Sequence, residues 1–155
     1  MKLHEQMCFP VYTASRLITQ LYAPLLKELN LTYPQFLVMM VLWEHGSMKV
    51  SDIGSLLVLD SGTLSPLLKK LEASGFIERK KANKDQREVL ITVTQKGLRL
   101  ERKTIEVPKK LGNYLDMRRE QSIEYREKTK KFVHVLLKAA DDFKKAVNEP
   151  KYKRK

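Results

Sequence analysis

Cysteine is almost missing from this chain: Cys8 is the only one in 155 residues. One thiol excludes an intrachain disulfide framework and a multi-cysteine zinc site. It also suits a reducing compartment, so a cytoplasmic setting is expected. Histidine is scarce too, and His4, His45 and His134 have no metal-ligand spacing. The six glycines form no phosphate-cradling loop, and no serine elbow or carboxylate pair nominates a catalytic centre. No metal, cofactor or enzymatic activity is therefore expected. Long apolar runs are missing as well. No stretch of about 18 uncharged apolar residues is present to span a membrane. The opening MKLHEQMCFPVYTASR lacks the unbroken apolar segment of a secretory signal.

Positive charge is abundant. Lys plus Arg number 30 against 18 for Asp plus Glu, a net charge of +12, while hydrophobic residues make up 43%. The hydrophobic share separates a globular chain from a disordered basic tail, and the length suits one domain with a real core. The charge points to an acidic partner, nucleic acid ahead of an anionic membrane surface. Residues 95–155 carry nineteen basic and nine acidic side chains, so ten of the twelve net charges lie there. In the middle segment, Lys69, Lys70, Arg79, Lys80, Lys81, Lys84 and Arg87 face only Glu72, Glu78 and Asp85. Residues 148–155 read as a basic flexible tail, either simply solvated or serving as an arm that touches phosphates.

Hydrophobic spacing predicts a helix over 5–29, where Met7, Val11, Ala14, Ile18, Leu21 and Leu25 form a stripe and Pro10 and Pro24 are weak points. Thr32 can cap a second helix with Pro34 in its first turn. Its body FLVMMVLW is apolar nearly all round and should be buried, Trp43 included, until His45-Gly46 ends it. Ser51 can cap a short helix through Leu57, and a turn follows at Val58 to Asp60. Ser61 can cap a further helix with Leu64, Leu67, Leu68 and Leu71 at helical spacing, stopped by Gly75. Two short helices joined by a tight turn form the helix-turn-helix pattern. The small polar start of the second, with Ser61, Gly62, Thr63 and Ser65, suits close approach to base edges, although it also fits simple helix-start polarity.

Strand-like runs follow at 76–81 and 87–94, with Val89, Ile91 and Val93 on one face and a polar turn between the runs. A basic hairpin after a helix-turn-helix gives a winged helix. Thr94 can cap a helix from 95 to about 107, ahead of Pro108. A last helix should cover about 119–147, with Phe132, Val133, Leu136, Leu137, Ala140, Phe143 and Val147 as its stripe. The expected fold is thus mainly α with a small β-hairpin wing. Residues 32–94 form the DNA-binding winged helix-turn-helix. Residues 1–31 and 95–147 supply helices for a homodimer, because a reader of a two-fold symmetric duplex is usually a dimer.

LTYPQFLVMMVLWEH, LDSGTLSPLLKKLEASGFIERKK and the wing residues Asp85-Gln86-Arg87 resemble the multiple-antibiotic-resistance regulator (MarR) family. CFPVYTASR with Cys8, DSGTL and the Tyr33-Pro34 pair narrow the resemblance to the one-cysteine organic-hydroperoxide sensing repressors (OhrR type) and related staphylococcal thiol-based regulators. The match covers about residues 4–147. It implies a winged-helix homodimer that represses transcription from a pseudo-palindromic operator in double-stranded DNA. It places Ser61, Thr63, Ser65 and Lys69 in the major groove and Lys70 on phosphate. It also places Arg87 in the minor groove, held by Asp85. Lys80, Lys81 and Lys84 would track phosphates, or else form a solvated face.

Without the resemblance, a lone thiol on an apolar helix most often reads as an inert core residue. Cys8, Tyr12, Ser15, Thr19 and Tyr22 nevertheless form a second, more polar stripe. Tyr12 is one turn from Cys8 and can reach it. Tyr22 is 14 residues further on, which is about 21 Å at ~1.5 Å per residue, so it could reach Cys8 only from an antiparallel partner helix. Phenols donating to a thiolate favour the nucleophilic form. The resemblance implies that arrangement, with Cys8 as the peroxide-reactive position and Tyr22 and Tyr33 bonding it from the other subunit. Pro10 departs from the family pattern. His4, one turn before Cys8, either tunes it or is an exposed terminal histidine.

Oxidation would pass through sulfenic acid. With no second cysteine in the chain, the product would be a mixed disulfide with a low-molecular-weight thiol, an intersubunit Cys8–Cys8 bridge, or an overoxidised species. The expected function is therefore a repressor released from DNA by organic hydroperoxide. The alternatives are a repressor released by a small phenolic or other ligand, with Cys8 structural, or a broader thiol-responsive regulator of stress or virulence genes. A thiol peroxidase would not need the helix-turn-helix. A non-specific architectural protein would not need the polar helix start.

Overall fold

The computed structural model describes residues 2–81 and 88–148. Its elements are α1 (Cys8–Lys27), α2 (Tyr33–His45), β1 (Ser47–Lys49), α3 (Val50–Leu57), α4 (Ser61–Ala73), β2 (Ile77–Lys81), β3 (Val89–Val93), α5 (Gln95–Thr104), α6 (Glu106–Tyr114) and α7 (Arg119–Asn148). A short 3-10 turn at Leu3–Glu5 precedes them. The chain divides into two compact units, residues 1–111 and 112–155. No helix among the described residues is long and apolar enough to cross a membrane.

Local chemistry explains most boundaries. α1 starts at Cys8, three residues later than its spacing predicts, which puts Pro10 in the first turn, where its missing N–H costs no hydrogen bond, while Pro24 is carried inside the helix. Thr32 caps α2 in a full capping box: its hydroxyl accepts from the Gln35 N–H, and the Gln35 side chain accepts from the Thr32 N–H at 2.9 Å. Gly46 then takes a positive φ of 72°, which glycine adopts without a Cβ clash. α3 begins one residue before the expected cap. Ser51 lies inside it, with its hydroxyl on the Asp52 carboxylate at 3.2 Å. α5 is shorter than predicted, since the chain breaks at Ile105 and Pro108 sits in the first turn of α6 instead of ending α5.

The sheet has three strands in the order β1-β3-β2, all antiparallel. β1 has no counterpart among the sequence expectations. It is only three residues long and lies against β3, with Met48 opposite Ile91. Ile91 is fully buried, and Val89 and Val93 pack on the same core. That core joins Leu26 of α1, Phe36, Val38, Met39 and Leu42 of α2, and Leu64, Leu68 and Leu71 of α4. Burying a side chain of this size contributes about 1.5–3 kcal/mol. α4 is thereby fixed by its inner face while its outer face stays in water.

Two stripes are left uncovered within their own units. On α1, only Leu26 is buried, while Val11, Ile18 and Leu21 are exposed, as is Met7 just before it. On α7, Val133, Leu136, Leu137, Phe143 and Val147 are exposed.

Candidate DNA interface and thiol site

α4 presents Ser61, Thr63, Lys69 and Lys70 to solvent and holds Ser65 half-buried. Ser61, Ser65 and Lys69 recur every fourth residue and share one face. The cap of this helix is Asp60, not Ser61. Its carboxylate accepts from the Thr63 N–H at 2.8 Å and from the Thr63 hydroxyl at 3.1 Å. Ser61 is therefore the first helical residue, and the Thr63 hydroxyl keeps only acceptor capacity for a further partner. The same bonds, backbone first, hold the Asp60 carboxyl below the usual aspartate range.

A pH prediction follows from that cap. A depressed carboxylate stabilises the fold above its unfolded-state value, and this contribution is lost as pH falls through the folded-state value. Asp60→Asn should keep the cap and flatten that acid-limb dependence. Asp60→Ala should lower the thermal midpoint at every pH. Melting curves from neutral to acid pH check both, and an unchanged acid limb in Asp60→Asn would remove Asp60 from the explanation.

The far end of α4 is pinned by α5. The Thr94 hydroxyl caps α5 by accepting from the Gly97 N–H at 3.1 Å and itself donates to the Gly75 carbonyl at 2.7 Å. The Lys96 ammonium donates to the Ser74 carbonyl at 2.7 Å and lies 5.1 Å from the centre of the Phe76 ring. Trp43 is half-buried, and its indole N–H donates to the Gly97 carbonyl at 2.9 Å. Among the wing residues, Lys80 pairs with Glu78 at 3.1 Å on its own strand. Lys81 ends β2. Lys84, Asp85 and Arg87 lie outside the described residues. At the wing base, Lys49 bonds Glu88 at 2.7 Å, joining β1 to the start of β3. Nothing in the local pattern marks this pair, because its partners are 39 residues apart.

The thiol and its expected phenols are not assembled within one chain. Cys8 opens α1 and is exposed, so it is not a core residue of its own chain. Tyr12 is exposed as well and stacks with Arg16 at 5.8 Å. His4 is also exposed, 3.9 Å from Glu5. Tyr22 and Tyr33 do come together, with ring centroids 4.7 Å apart and the Tyr22 ring 5.9 Å from Phe36. Burial pushes both phenols up, and the neighbouring Tyr33 adds to the rise at Tyr22. Both therefore keep their protons at neutral pH and are able to donate. Their contact is absent from any helical spacing, since it joins the end of α1 to the start of α2.

Residues 20–103 match the protein family Transcriptional regulator SarA/Rot. The chain belongs to that family. The matched segment holds the end of α1, α2 to α4, the sheet and most of α5. The organic hydroperoxide resistance transcriptional regulator of Bacillus subtilis (strain 168) is 48% identical over 108 residues, 70% of this chain and 74% of that protein. The HTH-type transcriptional regulator MgrA of Staphylococcus aureus is 45% identical over 96 residues, 61% of this chain and 65% of its own. Among solved structures, AbfR of Staphylococcus epidermidis is 35% identical over 88% of this chain and 94% of that one, with a TM-score of 0.71. AbfR has been solved bound to DNA in both reduced and overoxidised forms, and also in a disulfide form. The SarA/Rot chain described here is thus a winged-helix transcriptional regulator, mainly helical with a three-stranded antiparallel sheet.

Proposed function

We propose that this regulator is a homodimeric, sequence-specific repressor that binds a pseudo-palindromic operator and is released when organic hydroperoxide oxidises Cys8. The observation that carries this reading is the division of the thiol site. Cys8 is exposed at one end of α1, whose apolar stripe is uncovered, and the half-buried Tyr22–Tyr33 pair lies at the other. Antiparallel pairing of α1 with a second copy covers the stripe and brings each thiol to the partner's phenols. Tyr12 then lines the approach. Residues 1–31 and 95–147 are the dimerising segments, residues 32–94 read DNA, and 148–155 form the basic tail.

The chemistry needs the Cys8 thiol, the peroxide as oxidant and a low-molecular-weight thiol as the second reactant. The thiolate sulfur attacks the nearer peroxide oxygen, the O–O bond breaks, and the alkoxide leaves as alcohol after taking a proton. The sulfenic acid so formed condenses with a low-molecular-weight thiol, forming an S–S bond and releasing water. This disulfide adds bulk beside Tyr22 and Tyr33. The overoxidised form of AbfR bound to DNA supports a bulky disulfide, over a sulfonic acid, as the releasing product. With no second cysteine in the chain, the Cys8 thiol is reset by an external reductant, which suits a sensor. A free thiol of this kind belongs in the cytoplasm.

On DNA, Ser61, Thr63, Ser65 and Lys69 face base edges in the major groove, while Lys70, Lys80, Lys81 and Lys84 meet phosphates. Arg87, held by Asp85, enters the minor groove. Replacing it, Arg87→Ala, should weaken operator binding roughly tenfold or more at physiological salt. Unchanged affinity would exclude the wing from the interface. The reading as a whole is tested by fluorescence anisotropy on the DNA upstream of the chain's own gene. Binding should be tight when reduced, lost after hydroperoxide plus a small thiol, and restored by excess reductant. Binding indifferent to this cycle would overturn the redox switch.

One observation favours a second reading. An open groove of ≈ 600 Å³ beside Tyr33, lined by Thr19, Ala23, Lys27 and Pro34 among others, could admit a small phenol or acid. Release by such a ligand would persist in a protein without Cys8.

A further inference from the structure

The Tyr22–Tyr33 pair and the end of α4 are joined by an unbroken series of contacts through α2. Tyr22 meets Phe36 at 5.9 Å, and Phe36 meets Trp43 edge-on at 6.1 Å with the ring planes 65° apart. The Trp43 N–H donates to the Gly97 carbonyl at 2.9 Å. Thr94 and Lys96, in the same turn as Gly97, hold the Gly75 and Ser74 carbonyls. Contiguity alone does not make coupling. Coupling arises here from the lack of slack at Gly97. A Cβ there would fall 2.3 Å from the Phe76 carbonyl oxygen, 2.7 Å from Val93 Cγ2 and 3.2 Å from Met39 Cε. A backbone so closely enclosed cannot follow Trp43 without moving the Phe76 segment, which leads directly out of α4.

We propose that Trp43 is a positioning residue that ties the Tyr22–Tyr33 pair to the C-terminal end of α4, so that displacement of a tyrosine ring reaches the reading helix. The inference rests on the assignment of that pair as the sensing phenols. It concerns a second step, from ring to helix, which can be examined without oxidation or DNA. Tyr33→Leu displaces the ring chemistry by substitution. Amide hydrogen exchange is then read at Ser74, Gly75 and Phe76, whose N–H groups bond the Lys70, Glu72 and Leu71 carbonyls.

The expected result is that Tyr33→Leu speeds exchange at these three amides roughly fivefold or more in the otherwise unchanged protein. In the Trp43→Phe background the same change should speed it less than about twofold. The amides of α3 serve as the control, because a merely structural role would loosen them equally. Additive effects of the two substitutions, or equal loosening of α3, would overturn the proposal. If Trp43→Phe does not fold, Phe36→Leu interrupts the series one ring earlier and carries the same expectation. The unchanged protein is run beside it on DNA, reduced and oxidised. Exchange coupling without any DNA response to peroxide would sink the redox reading and leave this proposal supported.

Discussion

Cys8→Ser protein is expected to bind its DNA with the affinity of the unchanged chain and to ignore organic hydroperoxide. Serine nearly preserves the shape of cysteine, and the Cys8 thiol is free and exposed. The serine hydroxyl also accepts from phenols, so the near-isosteric change should leave the dimer assembled. A serine hydroxyl, however, does not reduce a peroxide O–O bond at neutral pH, so the first covalent step is lost. In the unchanged protein, oxidation should cut operator affinity about a hundredfold, a coupling of roughly 2.8 kcal/mol. Titration by fluorescence anisotropy, before and after peroxide plus a small thiol, distinguishes the two proteins. A peroxide response of similar size in Cys8→Ser would remove the thiol from the switch.

Gly97→Ala should be the most damaging single methyl group in the fold. Gly97 is the third residue of α5, enclosed by Phe76, Val93 and Met39 and hydrogen-bonded to Thr94 and Trp43. The added Cβ meets backbone, the Phe76 carbonyl oxygen at 2.3 Å, before it meets any side chain. That carbonyl already accepts from the Thr94 N–H at 3.0 Å. It cannot retreat without loosening the junction between α4 and α5. Overpacking of this kind costs about 1–3 kcal/mol, and each hydrogen bond lost adds roughly 1 kcal/mol. A total near 4 kcal/mol lowers the thermal midpoint by about 8–16 °C for a chain of this size. Trp43 is the only tryptophan and bonds Gly97 directly, so its emission reports the change. Gly112→Ala is the matched control. It has nothing within 4 Å of its added methyl, and Gly→Ala in a helix is neutral to mildly stabilising. Similar midpoints for the two variants would refute the packing account of Gly97.

Elements governed by local rules were legible in advance. Thr32 with Pro34, Gly46, Gly75, Thr94 and the leucines of α4 each carry a cap, stop or periodicity that acts within a few residues. Local rules are ambiguous where adjacent residues compete for one role. Asp60 and Ser61 both make good caps, and only the register of α4 on its core selects Asp60. Pro108 reads equally as a stop or as a first-turn proline, and the break at Ile105 selects the second. β1 was invisible because three residues carry no periodicity and gain their structure from β3, more than forty positions away.

Composition, caps and hydrophobic spacing are local quantities, and they suffice for the class of molecule: a basic, single-thiol, helix-turn-helix chain with a hairpin. Which groups meet depends on the folded core. It set the Tyr22 ring on Tyr33, bonded Trp43 to Gly97, and tied Thr94 and Lys96 to the end of α4. It also left the faces of α1 and α7 uncovered in their own units. These outcomes depend on how distant segments share one core. Chain spacing does not encode that before the core exists.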